Sequence, residues 1–132
     1  MARLELRLEE AEAALASLDE AVATAGHSEM ARDSAILRLI YTYEAVWKAC
    51  QQLLHELENI EVASPNTAIR AACRLGWLND PDAEAAIRIG SDRNLAVHMY
   101  RGQIAEEIGE RLAGHVAVLR RWLDSLHRRK PE

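Results

Sequence analysis

The apolar positions of this chain recur at steps of three and four residues, which is the spacing of one face of an α-helix. The first stripe covers residues 4–22 and predicts an amphipathic helix that continues until Gly26. The second covers residues 36–57 and predicts a helix of roughly 30 residues that starts after Ser28, its expected N-cap. The N-terminal half of the chain is therefore predicted to be two long helices.

Two shorter helices are predicted next. Ser64-Pro65 and Asp80-Pro81 each combine a capping side chain with a proline at the first helical position, where the missing N–H costs nothing. They predict helices over residues 65–78 and 81–91. Gly90-Ser91-Asp92 is expected to break the second of these helices.

The last stripe covers residues 104–126 and predicts a long C-terminal helix. The helix is expected to end in cations, His127 to Lys130, which suit a helix C-terminus, and to stop at Pro131. The chain has no alternating strand pattern and no internal repeat. The predicted fold class is therefore all-α: an antiparallel bundle of three long and two short helices in one domain, residues 1–132.

Composition agrees with a globular protein, since 49% of the 132 residues are apolar and 28% are charged. No stretch approaches 18 uninterrupted apolar residues, and the N-terminus is charged before any apolar run, so we expect neither a membrane span nor a signal peptide. We therefore expect a cytoplasmic protein. Cys50 and Cys73 lack metal-ligand spacing and are interpreted as free thiols and small core residues.

Charge is distributed unevenly along the chain. Residues 1–30 carry two basic and seven acidic side chains, whereas the rest of the chain carries 14 of each sign. The net charge of -5 therefore belongs to residues 1–30. Contact with nucleic acid is expected only from a local basic site.

Candidate chemistry is concentrated in residues 91–100, interpreted as a polar break that leads into a helix. Arg93, Asn94, His98 and Tyr100 lie there within eight residues. The Arg93–His98 spacing alone is uninformative, because a chain this rich in arginine produces such pairs by chance. Without further context, His98 is a helix-start histidine bonded to a carbonyl, Arg93 a surface ion-pair partner and Tyr100 an interface aromatic residue.

Several other groups are interpreted as structural. Acids in the first turn of a helix are expected from the helix dipole, so Asp80, Asp82 and Glu84 are not assigned to a metal. We predict no metal site and no cofactor. The three tryptophans, Trp47, Trp77 and Trp122, are assigned to the core or to a dimer seam. His115 lies on the apolar stripe of the last helix and is assigned to the core.

The string RNLAVHMY, residues 93–100, resembles the R-x4-H-x-Y motif of the HEPN superfamily, specifically the HepT-type toxins, also called nucleotidyltransferase substrate-binding proteins. RDSAILRLIYTYEAVWKACQQLL is similar to that family's second helix, and SPNTAIRAACRLGWLND to its short helix after a proline. The resemblance covers roughly residues 32–126. Three positions depart from the family pattern: Leu39 and Ala86 replace aromatic residues, and Arg101 replaces an acid.

The resemblance implies a metal-independent endoribonuclease toxin. Two copies of the motif are expected to form a composite cleft in a homodimer. There His98 would act as general acid or base on RNA, and Arg93 would hold the scissile phosphate. Asn94 would support the site.

The resemblance also implies a partner, an MntA-type nucleotidyltransferase antitoxin that transfers AMP to Tyr100. A bulky anion two residues from His98 would block the cleft. The acidic first helix is a hypothetical docking face for this partner.

Two alternatives stay open at this point. The protein is also interpretable as a non-catalytic subunit that presents a nucleotide or other substrate to the transferase. It is interpretable, further, as a helical scaffold that dimerises through its long stripes.

Overall fold

The computed structural model describes residues 2–131, which contain five α-helices, one 3-10 turn and no β-strand. The predicted all-α fold class is confirmed. None of the described helices is long and apolar enough to cross a membrane. The helices are α1 (Ala2–Val22), α2 (Glu29–Glu58), α3 (Pro65–Arg74), α4 (Asp80–His98) and α5 (Gly102–Arg129), with the 3-10 turn at Ala25–His27.

Helix α2 is the centre of the bundle and packs against the four other helices. It runs antiparallel to α1, since the hydroxyl of Thr42 donates to the carbonyl of Ala14 (3.0 Å) and Arg38 Nε donates to Ser17 Oγ (2.9 Å). Helix α5 runs antiparallel to α4, because Arg111 binds Asp92 near the end of α4 whereas Arg121, further along α5, binds the first turn of α4. The antiparallel arrangement agrees with the sequence-based prediction.

The core is formed by the stripes that the sequence shows. The five positions of the first stripe from Leu4 to Leu18 are buried, and Trp122 on α5 is completely buried. Trp47, Trp77 and His115 are buried as well, so their assignment to the interior is confirmed. The interface of α2 is wider than one stripe, because four neighbours surround it.

Cys50 is buried in the core as predicted, and both cysteines are free. The interpretation of Cys73 as a core residue is correct only in part, because Cys73 packs against the core from its edge. Its side chain is only half-buried, and its Sγ donates a hydrogen bond to Asp80 Oδ1 (3.2 Å), which raises the pKa of the thiol. Cys73 therefore links the end of α3 to the start of α4 through a hydrogen bond at the surface.

Local signals placed the helix starts well and their ends less well. Ser28 and Ser64 are the N-caps of α2 and α3, as predicted, and each side chain accepts a backbone N–H. Helix α1, however, ends at Val22 rather than near Gly26. Helix α3 ends at Arg74, four residues early, because Gly76 adopts the left-handed conformation (φ +76°) and closes the turn.

The largest correction concerns α4, which is 19 residues long rather than a short helix ending at residue 91. Its N-cap is Asn79, whose side chain accepts the N–H of Asp82, and not Asp80. The predicted break at Gly90-Ser91-Asp92 is wrong. Each of these residues has a role inside the helix: Gly90 leaves room for Tyr43, Ser91 bonds back to the carbonyl of Ile87, and Asp92 binds α5.

Replacement of Gly90 by alanine is expected to destabilise the fold. A Cβ at this position would lie 2.6 Å from the hydroxyl oxygen of Tyr43, which is completely buried. We expect a loss of roughly 1–3 kcal/mol in the free energy of unfolding, the usual cost of overpacking. Urea unfolding of Gly90→Ala measures it.

The same substitution in a Tyr43→Phe background tests the cause. Without the hydroxyl oxygen the closest contact disappears, so most of the loss is expected to be recovered. If Gly90→Ala instead stabilises the otherwise unchanged protein by about 1 kcal/mol, helix propensity outweighs the contact with Tyr43 and the explanation fails.

Candidate functional site

The motif residues lie at the C-terminal end of α4. Arg93, Asn94 and His98 belong to its last turns, and Tyr100 follows in the short connection to α5. The expectation that they lie in a loop leading into a helix is therefore wrong. Because a helix turns by about 100° per residue, Asn94 and His98 share one face, whereas Arg93 and His98 point about 140° apart.

Arg93 is directed toward α2. Its guanidinium lies over the ring of Tyr43, 5.5 Å from the ring centroid, in a cation–π contact. Its Nη1 is 3.7 Å from Glu44 Oε2, too far for a hydrogen bond. Its Nε is buried and has no hydrogen-bond partner. A charged donor is thus held in place by packing while part of its hydrogen-bonding capacity stays unused.

Glu44 is held by its own helix rather than by Arg93. It accepts from Trp47 Nε1 (3.0 Å) and pairs with Lys48 (3.2 Å). Burial alone would raise the pKa of Glu44, but the bonds from Trp47 and Lys48 outweigh it, and the pKa is lowered. The Glu44 carboxylate therefore stays ionised at neutral pH, and the charge of Lys48 balances its charge.

Arg93 and Asn94 line a small cleft between α3 and α4, with a volume of about 150 Å³. We call it the α3–α4 cleft. The hydroxyl of Tyr43 is buried and unpartnered, and burial raises the pKa of this tyrosine to about 12, so it is a neutral donor. The polar lining residues are Tyr43, Ser64, Asn66, Ser91, Arg93 and Asn94.

His98 and Tyr100 lie outside this cleft. His98 is exposed. Tyr100 is 41% exposed, and its hydroxyl donates a hydrogen bond to Asp33 at the start of α2, a carboxylate that also accepts from Arg32. Burial and this hydrogen bond raise the pKa of Tyr100 to about 12. The chain thus brings Arg93 and Asn94 together and leaves His98 and Tyr100 on the adjoining surface.

An exposed apolar patch adjoins these residues. On α2, Leu37 and Tyr41 lie on the same face as Asp33 and Glu44 and between them. Asp33 contacts Tyr100, and Glu44 lies close to Arg93. Val97 lies one turn after Arg93. The patch, defined as Leu37 (47% exposed), Tyr41 (60%), Val97 (53%) and Tyr100, is the kind of surface that proteins use for association.

Sequence reasoning missed Asp92. Its carboxylate is buried and accepts two hydrogen bonds from Arg111, both 2.8 Å, and contacts His115 Nε2 at 2.6 Å. Burial would raise its pKa, but the bonds from His115 and Arg111 dominate and lower it to about 2. A histidine on an apolar stripe was the available signal, because a buried imidazole needs a partner. This cluster fixes the helical segment immediately before Arg93.

The first-turn acids of α4 are engaged in structural contacts. Asp82 forms a bidentate pair with Arg121, and Asp80 accepts from Cys73. Within residues 2–131, no group of three or more potential ligand side chains has a geometry suited to a metal ion.

The family model described as "Nucleotidyltransferase substrate binding protein like" matches residues 6–128. The chain belongs to this family. No curated protein matches it significantly in sequence. A crystal structure of a protein from Thermus thermophilus is 41% identical, with a TM-score of 0.84 over 91% of this chain and 99% of that one.

Toxin–antitoxin complexes share the fold at low identity. A tri-AMPylated HEPN toxin from Shewanella oneidensis, in complex with its MNT antitoxin, superposes with a TM-score of 0.77 at 13% identity, covering 95% of this chain and 96% of that one. A toxin–antitoxin structure with AMP-PNP gives 0.76 at 13% identity, covering 93% and 96%. This member of the nucleotidyltransferase substrate-binding family therefore has the fold of HEPN toxins.

Two of the three positions that depart from the family pattern are core positions in this family member. Leu39 and Ala86 are completely buried in the core, away from the exposed end of α4. Arg101 is the exposed N-cap residue of α5 and makes no side-chain capping bond. The motif residues Arg93, Asn94, His98 and Tyr100 are themselves present.

Proposed function

We propose that the protein is a metal-independent endoribonuclease toxin that acts as a homodimer. The observation that carries the proposal is the presence, in the last turns of one helix, of an under-bonded arginine and an exposed histidine. Arg93 has a free buried Nε, and His98 is open to a substrate. Internal attack by a 2'-hydroxyl needs a group that transfers protons and a group that stabilises charge on the phosphate, and histidine and arginine can fill these roles.

The proposed reaction proceeds in one displacement. His98 takes the proton of a ribose 2'-hydroxyl, and the 2'-oxygen attacks the adjacent phosphorus. The bond from phosphorus to the 5'-oxygen of the next nucleotide breaks, and that oxygen takes up the proton that His98 removed. Arg93 stabilises the charge on the phosphoryl oxygens. The products are a 2',3'-cyclic phosphate and a 5'-hydroxyl.

A second copy of the chain completes the proposed site. Arg93 faces α2 whereas His98 faces solvent, so one chain alone does not place both groups on one phosphate. The exposed apolar patch gives a second copy a surface on which to pack. Packing there would bring the His98 side of one protomer close to its partner.

The proposed partner is a nucleotidyltransferase antitoxin of the MntA type that transfers AMP to Tyr100. The family description and the toxin–antitoxin complexes of the same fold support a partner of this kind. Tyr100 is partly exposed, and its hydroxyl lies at the edge of the apolar patch. The exposed acids of α1, such as Glu9 and Glu10, remain the hypothetical docking surface.

One alternative is favoured by a specific observation. The family description names substrate binding rather than catalysis. In that case the same residues would present a nucleotide to the transferase without cleaving RNA, and Arg93 would serve binding only.

A single experiment separates the two functions. Labelled RNA is incubated with the purified protein in excess EDTA, with and without prior treatment by a nucleotidyltransferase partner and ATP. We expect cleavage that leaves cyclic-phosphate ends, and its loss after the treatment, together with the mass increase of one AMP group or more. Tyr100→Phe is expected to stay active after the same treatment, because it lacks the acceptor hydroxyl.

Absence of cleavage by protein shown by mass to carry no AMP would reject the ribonuclease and leave the binding subunit. Cleavage that EDTA abolishes would also contradict the proposed mechanism. Silencing of Tyr100→Phe by the transferase would reject Tyr100 as the target.

A further inference from the structure

The α3–α4 cleft contains hydrogen-bond donors that the protein itself does not use. Arg93 and the completely buried Tyr43 both line this cleft, and Arg93 Nε and the Tyr43 hydroxyl have no hydrogen-bond partner. The guanidinium of Arg93 lies over the Tyr43 ring, and the hydroxyl lies close to Gly90. Buried polar groups without partners are rare in folded proteins, because each loses its bonds to water. Two of them at one cleft indicate a ligand that accepts hydrogen bonds.

The N-terminus of α3 contributes a third donor. Its capping box satisfies the N–H of Thr67 through Ser64 Oγ (3.3 Å), and Pro65 has no N–H. The backbone N–H of Asn66 is the first-turn donor that the capping box does not satisfy, and Asn66 lines the cleft. The positive end of the helix dipole reinforces the charge of Arg93 at this point.

The sign of the charge and the size of the cleft define the ligand further. The lining contains one cation and no acidic residue, and the nearby Glu44 is engaged with Trp47 and Lys48. A volume of about 150 Å³ is well below the ~300–1,000 Å³ typical of pockets that enclose whole small molecules. The cleft therefore suits one compact anionic group rather than a complete nucleotide.

We propose that the α3–α4 cleft binds a phosphate group through Arg93, the backbone N–H of Asn66 and the side chains of Ser91 and Asn94. The phosphate belongs either to an RNA strand or to a mononucleotide. Tyr43 supports the guanidinium from below and donates its hydroxyl to the cleft. Arg93 also belongs to the proposed ribonuclease site. The phosphate site rests on that proposed function only for the identity of the molecule, RNA or mononucleotide, that carries the phosphate.

Binding is measured by NMR on the full-length ¹⁵N-labelled protein. Three probes are titrated: inorganic phosphate, AMP, and a short RNA with 2'-O-methyl groups, which lacks the nucleophile and stays intact. We expect phosphate to shift the Asn66 amide and the Arg93 Nε–H first. The RNA is expected to shift the same signals at lower concentration than AMP.

Matched variants test the residues. Arg93→Gln is expected to weaken phosphate binding at least tenfold, whereas Arg88→Gln, which removes the same charge from an exposed position of α4, leaves it within twofold. Asn66→Pro removes the backbone donor and Asn66→Ala keeps it, so only the first should weaken binding. If the proline disturbs α3, Tyr43→Phe is the second variant: it removes the hydroxyl that Tyr43 donates to the cleft, so phosphate binding should weaken.

Shifts confined to other basic residues, or equal binding by the Arg93→Gln and Arg88→Gln variants, would overturn the proposal. Tighter binding of AMP than of RNA at the same signals assigns the cleft to a nucleotide and supports the phosphate site. The two proposals fail separately: phosphate binding without RNA cleavage rejects only the ribonuclease, and RNA cleavage with a shift at Arg93 but none at Asn66 rejects only the cleft.

Discussion

Replacement of His98 by alanine is expected to lower the rate of RNA cleavage by about 10²- to 10⁴-fold, the usual contribution of a general acid or base. The fold should be unaffected, because His98 is exposed at the last turn of α4 and the helix cap is made by the backbone of Met99. The rate is measured on labelled RNA in EDTA, beside the melting temperature of each protein.

His27→Ala is the matched control. His27 is also exposed, but it lies in the 3-10 turn after α1, far along the chain from the motif. Its loss should leave both rate and stability unchanged. Equal activity of His98→Ala and the unmodified protein would remove His98 from the mechanism, and an equal decrease in both variants would show that the loss is not specific to His98.

A mixture of two inactive variants tests whether the site is shared between chains. Arg93→Gln and His98→Ala subunits are unfolded together and refolded, so that mixed dimers form. In a shared site, a mixed dimer contains one intact arginine and one intact histidine from different chains. Cleavage well above that of either variant is then expected, and no recovery would mean that each chain acts alone.

Replacement of Asp92 by asparagine is expected to cost about 2 kcal/mol in the free energy of unfolding at pH 7, since the pKa of this carboxyl in the folded protein is lowered from 3.8 to about 2. The carboxylate is buried and holds Arg111 and His115 on α5. Asparagine keeps the size of the side chain but removes its charge. Urea unfolding at several pH values measures the difference.

The pH dependence has a definite sign. A carboxyl group whose pKa is lower in the folded state stabilises the protein above its unfolded pKa, near 4, and loses that contribution as the pH falls through its folded pKa, near 2. The difference between the unmodified protein and Asp92→Asn should therefore be largest above pH 4 and shrink toward pH 2. A difference that is constant over this range would show that the charge of Asp92 is not responsible.

Glu12→Gln provides the comparison for a pair at the surface. Glu12 and Arg120 also form a short ion pair (2.9 Å), but the two side chains are 45% and 40% exposed. Such pairs contribute about 1 kcal/mol or less, since water screens them. A loss at Glu12 as large as that at Asp92 would contradict the importance of burial.

Much of this protein was predictable from its sequence because local rules determine it. The stripes from Leu4 to Leu18 and from Ile108 to Leu126 bury one face of each helix whatever the neighbours are. The caps at Ser28 and Ser64 depend on residues within one turn. The motif from Arg93 to Tyr100 was identified by its letters, and the assignment of the chain to the nucleotidyltransferase substrate-binding family is confirmed.

The candidate site was less predictable because its parts are far apart in the sequence. Gly90-Ser91-Asp92 is typical of a helix break when only neighbouring residues are considered. Tyr43, on another helix, explains the glycine, and Arg111 explains the aspartate. No local rule relates residues 43 and 90, or 92 and 111.

The sequence by itself determined the helical class, the number of helices, most helix starts and the identity of the motif, because each depends on contacts within one or two turns. Only the tertiary structure decided the length of α4, the separation of Arg93 from His98, the α3–α4 cleft and the partner of Asp92. These features depend on which buried polar groups find partners across the bundle, and that is settled when the helices pack.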